Sequence, residues 1–321
     1  MNADILVAGE TLVDFLPERP GPITDVSGFE RRAGGAPANV AVALARLECT
    51  PLFWTRVGDD PFGRYLRDTL AERGLSDRFV ELDPAAKTTL AFVTHDDTGD
   101  RSFSFYREDT ADTRLEPGQI ADSVLEDCEW VHAGGVALSS GRSRAATLDL
   151  LERATAAGVT TSFDPNARPE LWPDEATFRS VCRDALAHAD VLKATGGELE
   201  ALGFAGETVA ERARGALEAG PHTVLATRGS AGALAVTGEA APWSGPRTAT
   251  HPGYDADVVD TTGAGDAFVG GAIVALHEGR GLEEAIAFAN AVGAAATTAP
   301  GAMTALPDRE TVSSIRDGDV M

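Results

Sequence analysis

At 321 residues, of which 43% are hydrophobic, the chain is long enough to bury a substantial core. A formal net charge of −23 argues against a nucleic-acid partner, because phosphate backbones select for clustered Lys and Arg. Lys87 and Lys193 are the only lysines. An acidic surface so poor in lysine resembles those of proteins from salt-loving organisms, and it predicts poor stability in dilute buffer.

Cysteine, histidine and hydropathy patterns exclude several further classes. Cys49, Cys128 and Cys182 are too few and too scattered for a disulfide framework or a four-cysteine metal site. The six histidines show no HxH or HExxH spacing, which argues against zinc. The first residues show no basic leader, and no 18 uncharged apolar residues stand together. We therefore expect a cytoplasmic protein with no membrane partner.

From the N-terminus, short apolar runs alternate with stretches of helical periodicity. The runs ADILVAGE, GAPANVAVALARLE, PLFWTRVGDD and PFGRYLRDTLAERG follow one another, and the second half repeats the alternation up to a helix at 266–278. Such alternation predicts βαβ units on a parallel sheet. We expect a single doubly wound α/β domain over 1–321.

Two segments depart from this alternation. Residues 14–35 are too rich in Pro and Gly for a helix, and residues 87–109 have period-two apolar positions on both sides of a DDTGD turn. The two segments predict a small β appendage on the α/β core.

Late in the chain, DTTGAGDAF stands between a strand-like pair of valines and a helical pattern that stops at Gly279. Backbone amides of Gly263, Ala264 and Gly265 at a helix N-terminus favour an anion such as a moving phosphoryl group. Asp266 beside them could accept a proton from an attacking hydroxyl. The alternative is an ordinary first-turn acid, which the helix dipole stabilises by roughly 0.3–1 kcal/mol.

An earlier glycine pair lies in RRAGGAPANVAVALARLE. Gly34 and Gly35 would let a ligand approach the backbone, and Asn39 offers a donor and an acceptor to a polyhydroxylated molecule. Asp14, after the first strand, adds an acceptor suited to hydroxyls. Each feature alone is also what an ordinary loop requires.

The two glycine stretches, in this order, resemble the paired signatures of the ribokinase-like, or PfkB, family of sugar kinases. The likeness covers nearly the whole chain, and within the family it is to fructokinases, through VGDDPFG, KTTLAFVT, FDPNARPELWP and GAMTALP. The early GGAPAN lacks the lysine typical of phosphofructokinase members, which disfavours a phosphorylated acceptor. The resemblance implies a three-layer αβα Rossmann-like domain with a small β-sheet lid formed by about 14–35 and 87–109.

The resemblance also implies a role for each matching residue. Asp266 would be the catalytic base, with Gly263, Ala264 and Gly265 as the anion hole. The sugar would be held by Asp14, Gly34, Gly35, Asn39, Phe105, Arg107 and Arg168. ATP would meet Asn166, Thr195, Thr227, Gly229, Gly232, Asn290, Gly301 and Ala302. Glu198 would organise Mg²⁺ through water, and backbone near Asp260 and Thr262 would hold K⁺.

One position departs from the family pattern. The family usually has Asn three residues before the magnesium-linked Glu, and this chain has Thr195. A hydroxyl forms fewer hydrogen bonds than an amide, so the departure concerns metal organisation more than catalysis.

The implied activity is ATP-dependent phosphorylation of a primary hydroxyl of a ketose, with fructose giving fructose 6-phosphate, in a homodimer formed through the lid. A 2-keto-3-deoxygluconate kinase is the alternative, because Arg107 and Arg168 could bind a carboxylate. A nucleoside kinase is a weaker alternative. A sugar-binding regulator without catalysis is a third, although the intact GAGD argues against it.

Overall fold

The computed structural model describes residues 4–19, 21, 23–95 and 101–318, with main chain alone at 94, 95, 101 and 102. The DDTGD turn at 96–100 lies outside the described residues. The strands are β1 (Ile5–Ala8), β2 (Leu12–Pro17), β3 (Phe29–Gly34), β4 (Leu52–Gly58), β5 (Val80–Asp83), β6 (Leu90–His95), β7 (Arg101–Tyr106), β8 (Trp130–Gly134), β9 (Thr160–Asp164), β10 (Val191–Thr195), β11 (Thr223–Thr227), β12 (Ala233–Thr237) and β13 (Thr248–His251). The helices are α1 (Ala36–Arg46), α2 (Pro61–Glu72), α3 (Asp122–Glu126), α4 (Gly141–Ala156), α5 (Glu175–Leu186), α6 (Gly196–Ala201), α7 (Val209–Ala216), α8 (Ala264–His277), α9 (Leu282–Ala295) and α10 (Arg309–Asp317).

The large sheet has nine strands in the order β13-β12-β11-β10-β9-β8-β1-β4-β5. All neighbours from β11 to β5 are parallel, and β12 and β13 extend the sheet by antiparallel pairing. The central strands β1 and β8 are buried along their whole length, as expected for a parallel sheet covered on both faces.

A second, smaller sheet has the order β3-β2-β6-β7. Its central pair, β2 and β6, is parallel, and each outer strand pairs antiparallel with its neighbour. The strands come from the two segments whose patterns departed from α/β alternation. On one face Phe15 and Phe92 stack with ring centroids 4.9 Å apart. We call this element the small sheet.

Helices cover both faces of the large sheet. Helices α1, α8 and α9 pack on one face, and Leu151, Phe178 and Leu199 from α4, α5 and α6 are buried on the other. A Cβ at Gly270 of α8 would lie 2.7 Å from Ala43 Cβ, so glycine permits the close approach of α1. This architecture confirms the expected three-layer α/β fold with a smaller sheet.

Helix α8 is buried from Asp266 to Leu276 and is apolar on nearly all sides. It has 14 residues, and among the described parts of the chain no helix is both long and apolar enough to cross a membrane. Its hydrophobicity therefore reflects a position between α1 and α9.

Asp60 explains why the motifs VGDDPFG and KTT occur together. It caps α2 by accepting from the amides of Phe62 and Gly63, both at 2.9 Å. The same carboxylate accepts from the Thr88 amide at 2.9 Å and from the Thr88 hydroxyl at 3.0 Å. The capping residue therefore ties α2 to the chain that enters the small sheet.

Candidate active site

The carboxyl ends of the parallel strands meet at one edge of the large sheet, where open α/β folds bind ligands. Asp164 ends β9, Thr195 ends β10 and Thr227 ends β11, and Glu10 follows β1 closely. Thr195 and Thr227 are directly paired across β10 and β11. The strand order thus brings to one edge polar residues that are far apart in sequence.

The turn DTTGAGD holds the N-terminus of α8 at this edge. Gly263 caps the helix with a left-handed φ of 77°, and a Cβ there would lie 2.7 Å from Ala302 Cβ. Only glycine satisfies both constraints. Asp260 fixes the turn, because one carboxylate oxygen accepts from the Thr262 amide and the other from the Gly301 amide, each at 2.9 Å.

The first turn of α8 presents the positive end of its helix dipole to the site. The Ala264 amide makes a long 3.3 Å bond to the Thr261 carbonyl, and Gly263 accepts from the Ala267 amide at 2.8 Å. Gly265 lies beside Lys193, because a Cβ at Gly265 would be 3.4 Å from Lys193 Nζ. An ammonium and a helix N-terminus therefore face the same region, an arrangement that suits an anion.

Asp266 lies in the first turn of α8 and is 8% exposed. Its Oδ2 accepts a 2.8 Å hydrogen bond from Asn39 Nδ2, which joins the two glycine motifs across 227 residues of sequence. Burial raises the pKa of Asp266 to about 6, with a smaller contribution from Asp164; the Asn39 bond, Lys193 and Arg168 oppose the rise. The carboxylate is thus a stronger base than an exposed aspartate.

A pocket opens between the small sheet and the N-terminus of α8; we call it the polar pocket. Five of the residues predicted to hold a sugar line it, namely Asp14, Gly35, Asn39, Phe105 and Arg168. Five other predicted residues also line it, namely Asn166, Thr262, Gly263, Asp266 and Ala302. Burial raises the pKa of Asp14 to about 7, against the opposing effect of Arg168. Gly34 adjoins the pocket, since a Cβ there would meet Asp14 Oδ2 at 2.0 Å.

Two phenylalanines of β7 form the wall of the polar pocket on the small-sheet side. Phe103 and Phe105 alternate along the strand, so they share a face, and their rings stack with centroids 5.8 Å apart. The Arg168 guanidinium lies 5.6 Å from the Phe103 ring centroid. Tyr106 points the other way and is 62% exposed. Phe103 and Phe105, and not Tyr106, therefore cover the pocket on this side.

A buried ion pair supports the floor of the site. Lys193 Nζ donates to Asp164 Oδ2 at 2.8 Å, and Asp164 Oδ1 accepts from the Asn166 amide at 3.0 Å. Burial alone would lower the pKa of Lys193, but Asp164, Glu198 and Asp266 raise it above its usual value. Lys193 therefore remains charged beside the α8 N-terminus.

Glu198 and Thr195 form a capping box at the start of α6. The Thr195 hydroxyl accepts from the Glu198 amide at 3.1 Å, and Glu198 Oε2 accepts from the Thr195 amide at 2.7 Å. Glu198 Oε1 accepts from the Ala167 amide at 2.9 Å. Burial raises the pKa of Glu198, but Lys193 and these amides outweigh it and hold the pKa below its usual value. Thr195, at the position where the family usually has Asn, thus acts as a helix cap.

The structure places Arg107 behind the pocket rather than on its lining. Its side chain is buried, donates to Asp112 Oδ2 at 2.6 Å and donates to Ser139 Oγ at 2.7 Å. Asp112 also accepts from Thr89 and Thr110. Arg107 therefore connects the end of β7 to the main domain.

The remaining positions predicted to contact a nucleotide lie in turns, except for one in a helix. Gly229 and Gly232 have φ of 59° and 76° in the turn between β11 and β12. Asn290 is buried in α9, where its Nδ2 donates to the Ile286 carbonyl at 2.6 Å. Gly301 lies next to Ala302 in the segment tied to Asp260. Unlike most of the residues predicted to hold a sugar, these four positions do not line the polar pocket.

Sequence reasoning overlooked Glu10, Asp164 and Lys193 as parts of the site. Asp164 stands in the quoted FDPN motif, and Lys193 is one of only two lysines, so both carried a signal. Glu10 carried the same signal as Asp14, a carboxylate that follows the first strand.

Among the described residues, no group of three or more His, Cys, Asp or Glu side chains is arranged to hold a metal ion. Asp260 and Thr262, the positions predicted near K⁺, are bonded to each other through the Thr262 hydroxyl at 2.6 Å.

Comparison with known proteins agrees with this geometry. The model of the pfkB family carbohydrate kinases matches residues 2–309. A fructokinase from Klebsiella pneumoniae is 38% identical over 317 residues, which cover 97% of this chain and 98% of the relative. The crystal structure of a fructokinase with bound ATP from Xylella fastidiosa has a TM-score of 0.86 at 33% identity, covering 99% of each chain.

A fructokinase double mutant from Vibrio cholerae O395, crystallised with fructose, ADP and potassium ion, has a TM-score of 0.83 at 32% identity and covers 98% of each chain. The family match over nearly the whole length confirms the resemblance inferred from the two glycine motifs. The chain belongs to the pfkB family of carbohydrate kinases.

Proposed function

We propose that this protein is a fructokinase that transfers the γ-phosphoryl group of ATP to a primary hydroxyl of fructose, giving fructose 6-phosphate. One observation carries the proposal: Asp266 is a buried carboxylate at a helix N-terminus, bonded to Asn39 and facing the polar pocket. Support comes from relatives that are themselves named fructokinases, one of them crystallised with fructose and ADP.

In this proposal Asp266 accepts the proton of the attacking hydroxyl. The hydroxyl oxygen forms the new bond to the γ-phosphorus while the bond to the bridging oxygen breaks and ADP leaves. The N-terminus of α8, at Gly263, Ala264 and Gly265, stabilises the charge on the moving group. The proton that Asp266 takes is later released to solvent.

The sugar would lie in the polar pocket against Asp14, Gly34, Gly35 and Asn39. Phe103 and Phe105 would cover it, so we propose that the small sheet acts as a lid that excludes water during transfer. Arg168, held near Phe103, would meet either the sugar or the transferred group.

ATP would lie along the edge formed by the ends of β9, β10 and β11, as a substrate of the reaction. The positions proposed to contact it are Asn166, Thr195, Thr227, Gly229, Gly232, Asn290, Gly301 and Ala302. Lys193 adds a fixed positive charge beside Gly265, an addition that the sequence resemblance did not supply.

Magnesium would be held chiefly by the nucleotide phosphates, the usual arrangement for this ion. The residues fit that arrangement: Glu198 is ionised and lies near Lys193, and an ionised carboxylate can bind a water of the ion. Mg²⁺ would neutralise charge on the phosphates. A monovalent ion such as K⁺ would lie near the backbone of Asp260 and Thr262, which the hydrogen bonds from the Thr262 amide and hydroxyl to Asp260 hold together.

The charges of the pocket favour a neutral sugar over 2-keto-3-deoxygluconate. Asp14 and Asp266 line it, whereas Arg107, which could have bound a carboxylate, is paired with Asp112. Arg168 is then the arginine that lines the pocket. The retained base and anion site also argue against a regulator without catalysis.

The test is a coupled ADP-release assay in molar KCl with MgATP. Fructose, 2-keto-3-deoxygluconate, ribose, adenosine and fructose 6-phosphate are offered side by side. We expect fructose to give the highest kcat/KM. Preference for the keto acid would overturn the substrate while keeping the family, and sugar binding without turnover would favour the regulator.

We also propose a cytoplasmic homodimer in which an outer strand of the small sheet pairs with a second subunit, because an exposed edge favours pairing. A monomer in sedimentation at molar KCl would contradict it. The charge of −23 with two lysines supports adaptation to high salt. A melting temperature unchanged between dilute buffer and molar KCl would contradict that adaptation.

A further inference from the structure

Glu10 is a buried carboxyl group that the proposed reaction leaves without a role. It follows β1, is 2% exposed and lines the polar pocket. Its Oε1 accepts from the Ala36 amide at 3.3 Å, at the start of α1. Its Oε2 is buried and has no hydrogen-bond partner among the described residues. A buried acceptor without a donor is costly, so a ligand that supplies the donor is the natural explanation.

The surroundings of Glu10 hold its side chain in place but provide no hydrogen-bond donor to Oε2 among the described residues. Arg107, fixed by Asp112, is the nearby cation, and its Nη2 also has no partner in the described part of the chain. Glu10 and Arg107 form no ion pair with each other within that part. Burial raises the pKa of Glu10 to about 7 against the effect of Arg107, while Asp112 and Asp266 add to the rise. Glu10 is therefore a group whose charged form a hydroxyl donor would stabilise.

The polar pocket consequently has three carboxyl groups on its lining. Glu10, Asp14 and Asp266 line the pocket together with Arg168, and the electrostatic effect of Asp266 reaches both of the other carboxyl groups. Three carboxyl groups on the lining can accept hydrogen bonds from a neutral polyol. They repel an acceptor that carries its own carboxylate or phosphate.

We propose that Glu10 is a specificity-determining residue: its Oε2 accepts a hydrogen bond from a hydroxyl of the acceptor sugar, and its charge excludes anionic acceptors. The inference rests on the proposed function, because it assigns the sugar to the same pocket. Arg107, which lies behind the polar pocket, stabilises the ionised form of Glu10. Discrimination arises because a site built to meet a hydroxyl leaves Glu10 unpaired when that hydroxyl is absent.

The test compares Glu10→Gln with Glu30→Gln. Glutamine retains an oxygen for the Ala36 amide, so the variant keeps the local fold. Glu30 is exposed on β3 and paired with Arg32, so its variant removes a carboxylate from the small sheet without touching the pocket. Fructose, 2-keto-3-deoxygluconate and fructose 6-phosphate are compared by kcat and KM, and fructose binding is measured by calorimetry.

For Glu10→Gln we expect the KM and the dissociation constant for fructose to rise about 10- to 100-fold, with kcat changed less than about threefold. The ratio of kcat/KM for either anionic acceptor to that for fructose rises about tenfold or more. Glu30→Gln retains the wild-type values. A Glu10→Asp variant keeps the charge, so it continues to reject anionic acceptors while binding fructose less tightly.

Unchanged fructose affinity and unchanged acceptor selectivity in folded Glu10→Gln would overturn the inference and leave Glu10 as a support for α1. Failure of the proposed function would be seen in the wild-type protein. That protein would then phosphorylate none of the offered sugars or would prefer the keto acid. In that case the calorimetric comparison of wild type with Glu10→Gln still shows whether Glu10 contacts fructose.

Discussion

The two sides of the proposed reaction differ in how they are built. On the sugar side, buried side chains from distant parts of the chain converge, and Asn39 and Asp266 bond each other across 227 residues of sequence. On the nucleotide side, several of the proposed contacts are glycines in turns, such as Gly229 and Gly232, whose φ is positive. Lys193 and Asp164 lie between the two sides.

The difference indicates how each side tolerates change. A substitution on the sugar side alters a charge or leaves a buried polar group unpaired, which changes chemistry while the backbone stays. A substitution on the nucleotide side alters the path of the backbone, because a turn that requires glycine cannot accept a Cβ. Asp266→Asn and the pH dependence test the sugar side, Gly232→Ala tests the nucleotide side, and Lys193→Met tests the ion pair that lies between them.

Asp266→Asn should have the largest effect. The amide keeps the shape and the contact with Asn39 but cannot take the hydroxyl proton, so kcat should fall about 10²- to 10⁴-fold with a KM for fructose within a few-fold of wild type. Steady-state kinetics measure both. Asp59→Asn, an exposed aspartate paired with Arg64, is the control and should be unaffected. Near-wild-type turnover in Asp266→Asn would show that Asp266 is not the catalytic base.

Lys193→Met should be the most destabilising change. It leaves Asp164 buried without its cation, and breaking a buried pair in this way costs about 3–5 kcal/mol of unfolding free energy. Urea unfolding measures the loss. Lys87→Met is a matched control, because Lys87 is the only other lysine and is exposed.

Adding Asp164→Asn to Lys193→Met should recover part of that stability, since the double variant no longer buries an unpaired charge. A Lys193→Met protein as stable as Lys87→Met would show that the pair contributes nothing to the fold.

The sequence predicted the fold and the sugar side better than the nucleotide side, for physical reasons. The α/β alternation and the hairpin at 87–109 follow from hydrophobic periodicity, and the Pro and Gly content of 14–35 excludes a helix there; both signals are local. Gly263 and Asp266 stand in one short motif, so their proximity needed no tertiary information. Glu10 and Lys193 join the site only through strand order in the sheet, which periodicity does not reveal. The packing of Arg107 against Asp112 likewise depends on how the small sheet meets the main domain.

Gly232→Ala tests the nucleotide side, with Gly279→Ala as its control. Both glycines have φ of 76°, so alanine should cost each about 1–2 kcal/mol of stability. Only at Gly232 would the Cβ also collide with backbone, 2.1 Å from the His251 carbonyl oxygen, whereas Gly279 faces open space. Gly232→Ala should therefore raise the KM for ATP several-fold more than Gly279→Ala, with the KM for fructose unchanged in both. Equal ATP kinetics in the two variants would separate this turn from nucleotide binding.

The pH dependence should be the mildest effect and belongs to the sugar side alone. Burial raises the pKa of Asp266 to about 6 and the pKa values of Asp14 and Glu10 to about 7, so the three groups titrate together in this range. Because the base must be ionised, kcat/KM for fructose should fall about tenfold per pH unit below the pKa of Asp266.

Stability should change in the opposite direction. A carboxyl whose pKa is raised on folding binds its proton more tightly in the folded protein, so its contribution to stability is complete below its ordinary pKa of about 4. The contribution is lost as pH rises from there to about 6 for Asp266 and to about 7 for Asp14 and Glu10. Urea unfolding and fructose kinetics, measured on the same samples across this range, should show opposite slopes. Asp266→Asn should flatten part of the stability slope. Parallel slopes would mean that the three carboxyl groups are not buried together around the pocket.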